Sequence, residues 1–299
     1  MTQAHPSQHR AGVGYPHPVI AGIGDDCAVL GLKPGCEVLV TTDFSLEGVH
    51  FRRDWAPPAV IGHRCLARGL SDIAAMGGEP LAVFLSLALP KSVEQGWVDK
   101  FFKGLLKLAN RYKVALAGGD VAQSQQGILA DIIVVGQAPR GRALMRSGAR
   151  AGDGVYVTGE LGAAAAEMQR LRGRGRPRPE VMAEPRLLVG QAIRGTASAC
   201  IDVSDGLSTD LSHICQESGV GAVIEAEAVP AAKGATLEMA LHGGEDYELL
   251  FTSARPVPES IAGVRVTLIG EIVRGRKMEL VDASGKRREL PVRGWEHLR

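Results

Sequence analysis

The order of hydrophobic and polar positions predicts several buried strands. Residues 37–42 (EVLVTT), 81–87 (LAVFLSL) and 131–135 (DIIVV) are short apolar runs rich in β-branched side chains, which is typical of strands buried in a sheet. Runs of the same kind predict further strands at 155–158, 222–224, 249–251 and 264–269.

Between these runs, apolar residues recur at helical spacing. Residues 57–76 have such spacing and end at Gly77-Gly78, a usual stop for a helix. Residues 92–112 predict a second helix, with Ser92 as its N-cap and Gln95 three residues later. Two more helices are predicted at about 161–171 and 205–217. Because strands and helices mix without regular βαβ repetition, the pattern favours α+β layers over a doubly wound sheet.

The pattern restarts after Asp153, which predicts a domain boundary between residues 140 and 150. A chain of 299 residues with 45% hydrophobic residues has enough apolar side chains for two modest domains, which we divide as 1–145 and 146–299. Residues 172–179 (RGRGRPRP) predict a surface loop. A nucleic-acid patch there is a weaker alternative, because the run is short and contains no aromatic residues.

Charge and composition narrow the class of protein. The formal net charge of +1 leaves no global field that would attract nucleic acid or an anionic membrane. The longest apolar stretch, 81–89, is too short to span a bilayer, and the polar first twenty residues lack a signal-peptide core, so we expect a cytoplasmic protein. The five cysteines are scattered without a CxxC pair, which predicts free thiols, and the apolar neighbours of Cys27 predict a buried one.

Acidic residues recur beside Gly, Ser or Thr at predicted strand ends and turns. The segments are 24–26 (GDD), 41–43 (TTD), 71–72 (SD), 118–120 (GGD), 202–206 (DVSDG) and 243–246 (GGED). Any one of them is most simply a turn former or a helix cap. Six in one chain indicate a site for hard cations such as Mg²⁺, which bind carboxylates, waters and substrate phosphates.

The usual phosphate-binding loops are absent. The chain has neither GxxxxGK[ST] nor the Gly-rich loop of protein kinases, so metal ions, turn amides and a few arginines would have to hold a nucleotide. Arg146, in GRALMRSG, is a candidate arginine, although a surface arginine needs no function. His50 follows the TTD segment closely, but an isolated histidine is more often a packed or surface residue.

Together these motifs resemble those of a known family. The matching segments are GIGDDCAVL (22–30), TTDFSLEGVHF (41–51), LSDIAAMGGEP (70–80), AGGD (117–120), GRALMRSGARAGD (141–153), IDVSDGLSTDL (201–211) and HGGEDYELLF (242–251). In this order they resemble the thiamine-monophosphate kinase family of the aminoimidazole-ribonucleotide-synthetase superfamily. A single GGD or SDG would carry almost no information, whereas the joint match is highly specific.

The resemblance implies a two-domain, α+β, PurM-like fold. Residues 1–145 would bind ATP and magnesium and dimerise through their sheet, and residues 146–299 would form a C-terminal α+β domain. The implied activity is phosphorylation of thiamine monophosphate to thiamine diphosphate, the last step of thiamine diphosphate biosynthesis. It would use ATP as co-substrate, several Mg²⁺ ions, direct in-line transfer without a covalent enzyme intermediate, and a homodimer, with no nucleic-acid or membrane partner.

The resemblance also implies roles for individual residues. The metal-binding positions are Asp26, Thr41, Thr42, Asp43, Asp72, Asp120, Asp202 and Asp205. Among them, the catalytic acids are Asp43, Asp72, Asp120 and Asp205. The nucleotide-site positions are Tyr112, Gly119, Asp120, Arg146 and Ser204. The substrate-site positions are His50, Glu245 and Trp295, and Trp295 would close over the thiamine moiety unless it is a core or surface anchor.

Two alternatives remain open at this point. One is a sister activity on the same fold, namely selenophosphate synthetase, aminoimidazole-ribonucleotide synthetase or a hydrogenase-maturation dehydratase. Residues 1–20 lack the Lys and the reactive Cys on which the selenium enzyme relies. The other is a nucleotide-binding regulator without turnover, against which the acids at every implied metal position argue.

Overall fold

The computed structural model describes residues 18–23, 26–173 and 182–294. The chain divides into two compact units, the first formed by residues 1–69 and 80–139 and the second by residues 70–79 and 140–299. Within the described ranges, no helix is both long enough and apolar enough to cross a membrane.

The first unit is built on a four-stranded sheet. In chain order its elements are β1 (Val19–Ala21), β2 (Val29–Leu30), β3 (Cys36–Leu46), α1 (Pro58–Ala75), β4 (Glu79–Leu89), α2 (Gln95–Arg111), β5 (Ala115–Gln123) and β6 (Leu129–Pro139), with the end of α1 and the first residue of β4 assigned to the second unit. The sheet has the order β3-β6-β4-β5, and β1 and β2 form a separate two-stranded sheet. β3 pairs antiparallel with β6 over its whole length, and β4 pairs parallel with β5.

Glycines allow α1 and α2 to pack in direct backbone contact. A Cβ atom on Gly62 would lie 2.0 Å from the carbonyl oxygen of Phe101, and one on Gly104 would lie 1.8 Å from that of Ala59. Only glycine fits at such separations, so the two helices are closely packed. The buried side chains of α2 include Phe101, Leu105 and Leu108, at the predicted helical spacing.

The second unit contains a larger, mostly antiparallel sheet. Its elements are β7 (Gly154–Thr158), α3 (Ala163–Arg172), α4 (Leu187–Ile193), β8 (Ala199–Asp202), α5 (Leu207–Ser218), β9 (Gly221–Glu225), α6 (Leu237–His242), β10 (Leu249–Ser253), β11 (Ser260–Ile261), β12 (Val264–Val273), β13 (Met278–Val281) and β14 (Arg287–Glu289). The strand order is β14-β13-β9-β12-β7-β10-β8, with β11 paired to β12. Strands β7, β8, β9, β10, β12 and β13 and helix α5 contribute to one core cluster.

Most predicted elements are present, and five local predictions are wrong. α2 begins at Gln95 after the N-cap Glu94, because a turn from Pro90 to Val93 delays the helix beyond Ser92. The TTD and GGD segments lie inside β3 and β5, and the SD segment lies inside α1, rather than at strand ends or turns. Cys27 is exposed, since the two-stranded β1-β2 pair offers it no covering layer.

The remaining local predictions have mixed outcomes. All five cysteines are free, as expected from their spacing. Of the predicted loop at 172–179, Arg172 is the last residue of α3 and Gly173 is its C-cap, while residues 174–179 lie outside the described ranges.

Candidate active site

Strand β3 separates the three residues of the TTD segment between two faces. Successive side chains of a strand point to opposite faces. Thr41 and Asp43 are half-buried on one face, whereas Thr42 is exposed on the other, where its Oγ1 donates a hydrogen bond to Oδ1 of Asp131 at 3.4 Å. The side chains of Thr41 and Asp43 can therefore serve one metal ion together, and that of Thr42 cannot join them.

The GGD segment depends on a glycine inside β5. Gly119 has φ +148°, and a Cβ atom there would lie 2.0 Å from the carbonyl oxygen of Leu85 on β4. The strand can approach β4 this closely only because the side chain is missing. Asp120 follows directly, is exposed, and accepts the N–H of Val121 at 2.8 Å.

The turn after β3 fixes the tautomer of His50. Nδ1 of His50 accepts the backbone N–H of Leu46 at 3.0 Å. A neutral His50 therefore carries its proton on Nε2, which makes that atom a hydrogen-bond donor. A histidine N–H donor of this kind can serve an anionic oxygen such as that of a phosphate.

The other two predicted residues of the first unit lie at its edges. Asp26 is exposed in the bend between β1 and β2. Tyr112 is half-buried at the C-terminal end of α2, before β5 begins at Ala115, whereas Asp120 lies in the second half of β5. At about 3.3 Å per residue, roughly 17 Å of strand separates Ala115 from Asp120. Tyr112 therefore lies near the start of β5, and Asp120 lies in its second half.

In the second unit, Asp202 lies at the end of β8 and is only 3% exposed. Its Oδ2 accepts a hydrogen bond from Oγ of Ser71 at 2.7 Å. Burial, and then the negative charge of Asp72, raises the pKa of Asp202 to about 7. The Ser71 hydrogen bond and the charge of Arg146 oppose this rise. Asp72, Asp202 and Arg146 thus form one electrostatically coupled group.

Arg146 is held near β8 by its neighbour in the chain. The carbonyl oxygen of Met145 accepts the N–H of Cys200 on β8 at 2.8 Å. The Arg146 side chain is exposed, and its positive charge limits the rise in the pKa of Asp202. Burial, and then the charge of Arg146, lowers the pKa of His213. An exposed guanidinium beside buried carboxylates is suited to bind phosphate oxygens.

Ser204 and Asp205 lie in the loop between β8 and α5. The structure positions this loop with a residue that the sequence analysis did not select, Asp210 of α5. Its Oδ2 accepts the backbone N–H groups of Ser204, Asp205 and Gly206, each at 3.1 Å. Burial, and then the charges of Asp202 and Asp205, raises the pKa of Asp210 to about 8.

Glu245 lies in a strained loop that packs on the one carrying Ser204. Glu245 and Tyr247 have φ values of +67° and +53°, which are uncommon for residues other than glycine. The N–H of Glu245 donates to the carbonyl oxygen of Ser204 at 2.8 Å, and that of Tyr247 donates to Val203 at 2.9 Å. These bonds place the backbone of Glu245 beside that of Ser204.

Buried polar contacts hold the far side of this strained loop. Asp246 accepts the N–H of Gly162 at 2.6 Å, where α3 begins, and burial raises the pKa of Asp246 to about 7. Glu248 is paired with both Nε and Nη2 of Arg186 and accepts a hydrogen bond from Thr158. Asp246 and Glu248 of the HGGEDYELLF segment therefore support the loop that carries Glu245.

Trp295 lies outside the described residues. The residue before it, Gly294, donates its N–H to Oγ1 of Thr209 at 3.0 Å, in the first turn of α5. A Cβ atom on Gly294 would lie 2.1 Å from the carbonyl oxygen of Asp205. The chain therefore reaches the Asp205 loop immediately before residue 295.

The donor set of the second unit fits a hydrated divalent cation. Among the described residues, no three His, Cys, Asp or Glu side chains converge on one point at metal-binding distance. Burial, and then the negative charge of Asp72, nevertheless raises the pKa of Asp202, which a nearby cation would offset. Mg²⁺ usually keeps several waters and binds few carboxylates, so this arrangement of acids fits the ion without a complete protein cage.

The second unit also contains a cavity away from these residues. It lies at the C-terminal end of α5, among Cys215, Lys277 and Leu290. None of the predicted site residues that the structure describes lines it.

Comparisons with known proteins identify the family. The N-terminal domain of the AIR synthase related proteins matches residues 24–138, and their C-terminal domain matches residues 150–283. Thiamine-monophosphate kinase of Salmonella typhimurium is 41% identical over 272 residues, covering 85% of this chain and 81% of the relative. The enzyme of the same name from Escherichia coli K12 is 36% identical over 300 residues, covering 92% of this chain and 91% of the relative.

Solved structures agree with these relatives. Thiamine-monophosphate kinase from Stenotrophomonas maltophilia superposes with a TM-score of 0.80 at 32% identity, covering 88% of this chain and 91% of its own. AaThiL complexed with AMPPCP and TMP gives a TM-score of 0.79 at 31% identity, covering 89% of each chain. The hydrogenase maturation protein HypE in complex with ATP, at 18% identity and a TM-score of 0.79, shares the fold alone. The predicted PurM-like fold is confirmed, and the chain belongs to the thiamine-monophosphate kinase family of the AIR synthase related proteins.

Proposed function

We propose that this protein phosphorylates thiamine monophosphate with ATP and releases thiamine diphosphate. The observation that carries the proposal is the match, over 89% of both chains, to AaThiL in complex with AMPPCP and TMP. Relatives from both Salmonella typhimurium and Bacillus subtilis have the name thiamine-monophosphate kinase. The sister activities gain no comparable support, because the match to HypE at 18% identity extends to the fold alone.

Several residues of this chain would hold the nucleotide. Gly119 lets the β5 backbone approach closely, and Asp120 beside it is exposed to a ligand. The guanidinium of Arg146 would neutralise phosphate oxygens, and Ser204 would contact the nucleotide from the loop that Asp210 holds. Tyr112 stays a prediction from the resemblance alone.

Three residues would bind and orient thiamine monophosphate. His50 would donate from Nε2 to the phosphate, because its Nδ1 already accepts the N–H of Leu46. Glu245 would meet the substrate from the strained loop, and Trp295 would cover the thiamine moiety next to Gly294. Such orientation of reacting groups supplies a large share of the catalysis in phosphoryl transfer.

Acidic residues of the family motifs, together with Thr41, would bind Mg²⁺. Mg²⁺ would be held by Asp26, Thr41, Asp43, Asp72, Asp120, Asp202 and Asp205. Thr42 stays a prediction from the resemblance alone, because its side chain lies on the opposite face of β3 from Thr41 and Asp43. Bound magnesium supplies positive charge for phosphate oxygens. The raised pKa of Asp202 supports a bound cation, because uncompensated acids repel one another.

The transfer step requires no strong general base from the chain. The attacking oxygen belongs to a phosphate that is already ionised at neutral pH, so no side chain has to remove a proton. In-line attack on the γ-phosphorus of ATP then forms one P–O bond while the bond to the ADP oxygen breaks. Catalysis depends on positioning and charge neutralisation by the residues named above.

We also propose a homodimer formed through the sheet of the first domain, with the functional domains divided at residues 145 and 146. Val38, Val40 and Phe44 of β3 are 49%, 61% and 52% exposed on one face of the strand. An apolar face of this kind is suited to burial against a second copy. Analytical ultracentrifugation of the wild type and of Val40→Asp tests the dimer, which fails if the wild type sediments as a monomer at micromolar concentration.

The decisive experiment incubates the purified protein with ATP, Mg²⁺ and either thiamine monophosphate or thiamine. Products are separated by chromatography, with and without a chelator. We expect thiamine diphosphate from the monophosphate alone, and none when the metal is removed. If ATP binds while neither substrate gains a phosphate, the kinase assignment is wrong and the sister activities have to be assayed.

A further inference from the structure

The first turn of α5 carries three consecutive polar side chains that are buried. Ser208, Thr209 and Asp210 are 0%, 8% and 1% exposed. Polar residues in the first turn of a helix usually face water or cap their own helix. Here each one contacts a different segment: Ser208 pairs with Nδ1 of His242 at 2.8 Å, and Thr209 accepts the N–H of Gly294.

Of the three residues, Asp210 makes the most hydrogen bonds to a single segment. A single carboxylate oxygen accepts three consecutive backbone N–H groups, each at 3.1 Å. A carboxyl oxygen has two lone pairs and can accept several backbone N–H groups whether the other oxygen is ionised or protonated. Three of them on one atom fix the orientation of three successive peptide planes, and therefore the direction in which the Ser204 and Asp205 side chains leave the backbone.

The backbone of this loop requires such a restraint. Gly206 has φ +111°, and a Cβ atom there would lie 2.9 Å from the carbonyl carbon of His242. A Cβ atom on Gly244 would lie 2.4 Å from the carbonyl oxygen of Ser204. The loop is therefore held in an unusual conformation against a second, strained loop.

A buried carboxylate beside Asp202 and Asp205 is an unfavourable choice for stability alone. Burying a charge near like charges costs free energy, and a neutral Asn or Ser could accept hydrogen bonds at a smaller cost. The position of Asp210 is better explained by what its carboxylate does to the loop than by a contribution to the core.

We propose that Asp210 is a positioning residue for phosphoryl transfer, which orients the Ser204–Asp205 loop so that Asp205 can hold a magnesium ion and Ser204 the nucleotide. The proposal rests on the proposed kinase function for its kinetic consequences. Asp210 itself contacts the backbone of the loop, and acts on the reaction through Ser204 and Asp205.

The test compares Asp210→Ala and Asp210→Asn with Asp153→Asn as a matched control. Asp153 is also buried in the second unit, at 2% exposure, and accepts hydrogen bonds from the Arg150 N–H at 3.0 Å and from Ser198 Oγ at 2.6 Å. It therefore reports what removal of a buried carboxylate charge does away from the loop. For each protein, thermal unfolding, amide hydrogen exchange of residues 204–206, Mg²⁺ binding by calorimetry in the presence of AMPPCP, and steady-state kinetics are measured.

For Asp210→Ala we expect faster amide exchange at residues 204–206 and weaker Mg²⁺ binding by about 10-fold or more. We expect kcat to fall by about 100-fold, with the KM for thiamine monophosphate changed by less than about 3-fold. Asp210→Asn keeps one oxygen acceptor for the three N–H groups, so it should recover part of the Mg²⁺ affinity and part of kcat. Asp153→Asn should lower the unfolding temperature while exchange at 204–206 and Mg²⁺ affinity stay at wild-type values.

Wild-type exchange and wild-type Mg²⁺ affinity in Asp210→Ala would overturn the proposal. An equal loss of Mg²⁺ affinity in Asp153→Asn would also overturn it, because general loosening of the unit would then suffice. If Asp210→Ala does not fold, Asp210→Asn decides, with weaker Mg²⁺ binding expected and unchanged binding contradicting the idea. Failure of the kinase function is recognised separately, since a wild type that makes no thiamine diphosphate still yields the exchange and calorimetric comparison.

Discussion

The two units hold their functional side chains by different means. In the first unit, Asp43 and Asp120 lie inside regular strands, and the backbone ladder fixes their direction. In the second, Asp205 and Glu245 lie on irregular loops that depend on a buried carboxylate and on backbone contacts at glycines. Sheet hydrogen bonds alone position Asp43 and Asp120, whereas Asp205 and Glu245 need additional polar contacts. We therefore expect substitutions of residues that contact no ligand to reduce activity more in the second unit than in the first.

The substitution with the largest expected effect tests whether the acids on the strands of the first unit take part in the reaction. Asp43→Asn keeps the shape of the side chain on β3 and removes its charge. We expect kcat/KM to fall by about 10³-fold or more, roughly 4 kcal/mol of transition-state stabilisation, with the unfolding temperature almost unchanged. Glu37→Gln on the same strand is the control and should retain activity. Near-normal turnover of Asp43→Asn would show that the metal assignment on β3 is wrong.

A substitution at Gly119 tests whether the pairing of β5 with β4 positions Asp120. Gly119→Ala places a Cβ atom 2.0 Å from the Leu85 carbonyl oxygen, at a φ of +148°. We expect a loss of about 3 kcal/mol in the free energy of unfolding, measured by denaturant titration, together with weaker ATP binding. Gly96→Ala, where no atom lies within 4 Å of the new Cβ, should be neutral or slightly stabilising. Equal stabilities of the two variants would contradict the close β4-β5 approach.

The acids of the second unit should make its stability sensitive to pH and to metal. The pKa of Asp202 is raised to about 7 in the folded protein, against about 3.9 in an unfolded chain. Its contribution to stability is therefore fully present below about pH 4 and is lost as the pH rises through about 7. Without metal, we expect Asp202→Asn to be more stable than the wild type above pH 7 by about 2 kcal/mol, because the variant carries no buried charge.

Thermal unfolding of both proteins in a chelator, at pH values from about 4.5 to about 8, measures this difference. Asp210 and Asp246 also have raised pKa values, so their contributions to the stability of the protein are likewise lost as the pH rises. Both are present in wild type and variant, so the difference between the two proteins reports Asp202. Added Mg²⁺ should raise the wild-type unfolding temperature and leave that of Asp202→Asn nearly unchanged. A gap that stays constant across this pH range would contradict the predicted ionisation of Asp202.

The same contrast explains which features the sequence predicts. The β-branched run at 37–42 and the apolar spacing at 92–112 indicate β3 and α2, because local periodicity reflects burial. The family motifs predict Asp205 and Glu245 as site residues, because the matching segments occur together and in the order of the family. The sequence does not predict that Asp210 bonds the 204–206 amides, because a loop conformation that depends on one buried carboxylate has no periodic pattern.

Thr42 shows that the TTD motif does not by itself identify which side chains can bind the same metal ion. Thr41 and Thr42 are both metal-binding positions by resemblance, yet the pleat of β3 separates their side chains. The sequence analysis places the TTD segment at a strand end, whereas in the structure it lies inside β3, where the alternation of side chains puts Thr41, and not Thr42, on the face of Asp43.

The smallest expected effect uses this separation. Thr41→Val removes an oxygen from the face that carries Asp43, whereas Thr42→Val removes one from the exposed opposite face, where it bonds Asp131 at 3.4 Å. We expect Thr41→Val to raise the Mg²⁺ concentration for half-maximal activity by about 10-fold, and Thr42→Val by less than about 3-fold. Both changes conserve volume, so each variant serves as the packing control for the other. A larger effect at Thr42 would mean that its oxygen reaches a metal from the outer face, where the proposed dimer contact also lies, and the first unit would then resemble the second in depending on more than its own ladder.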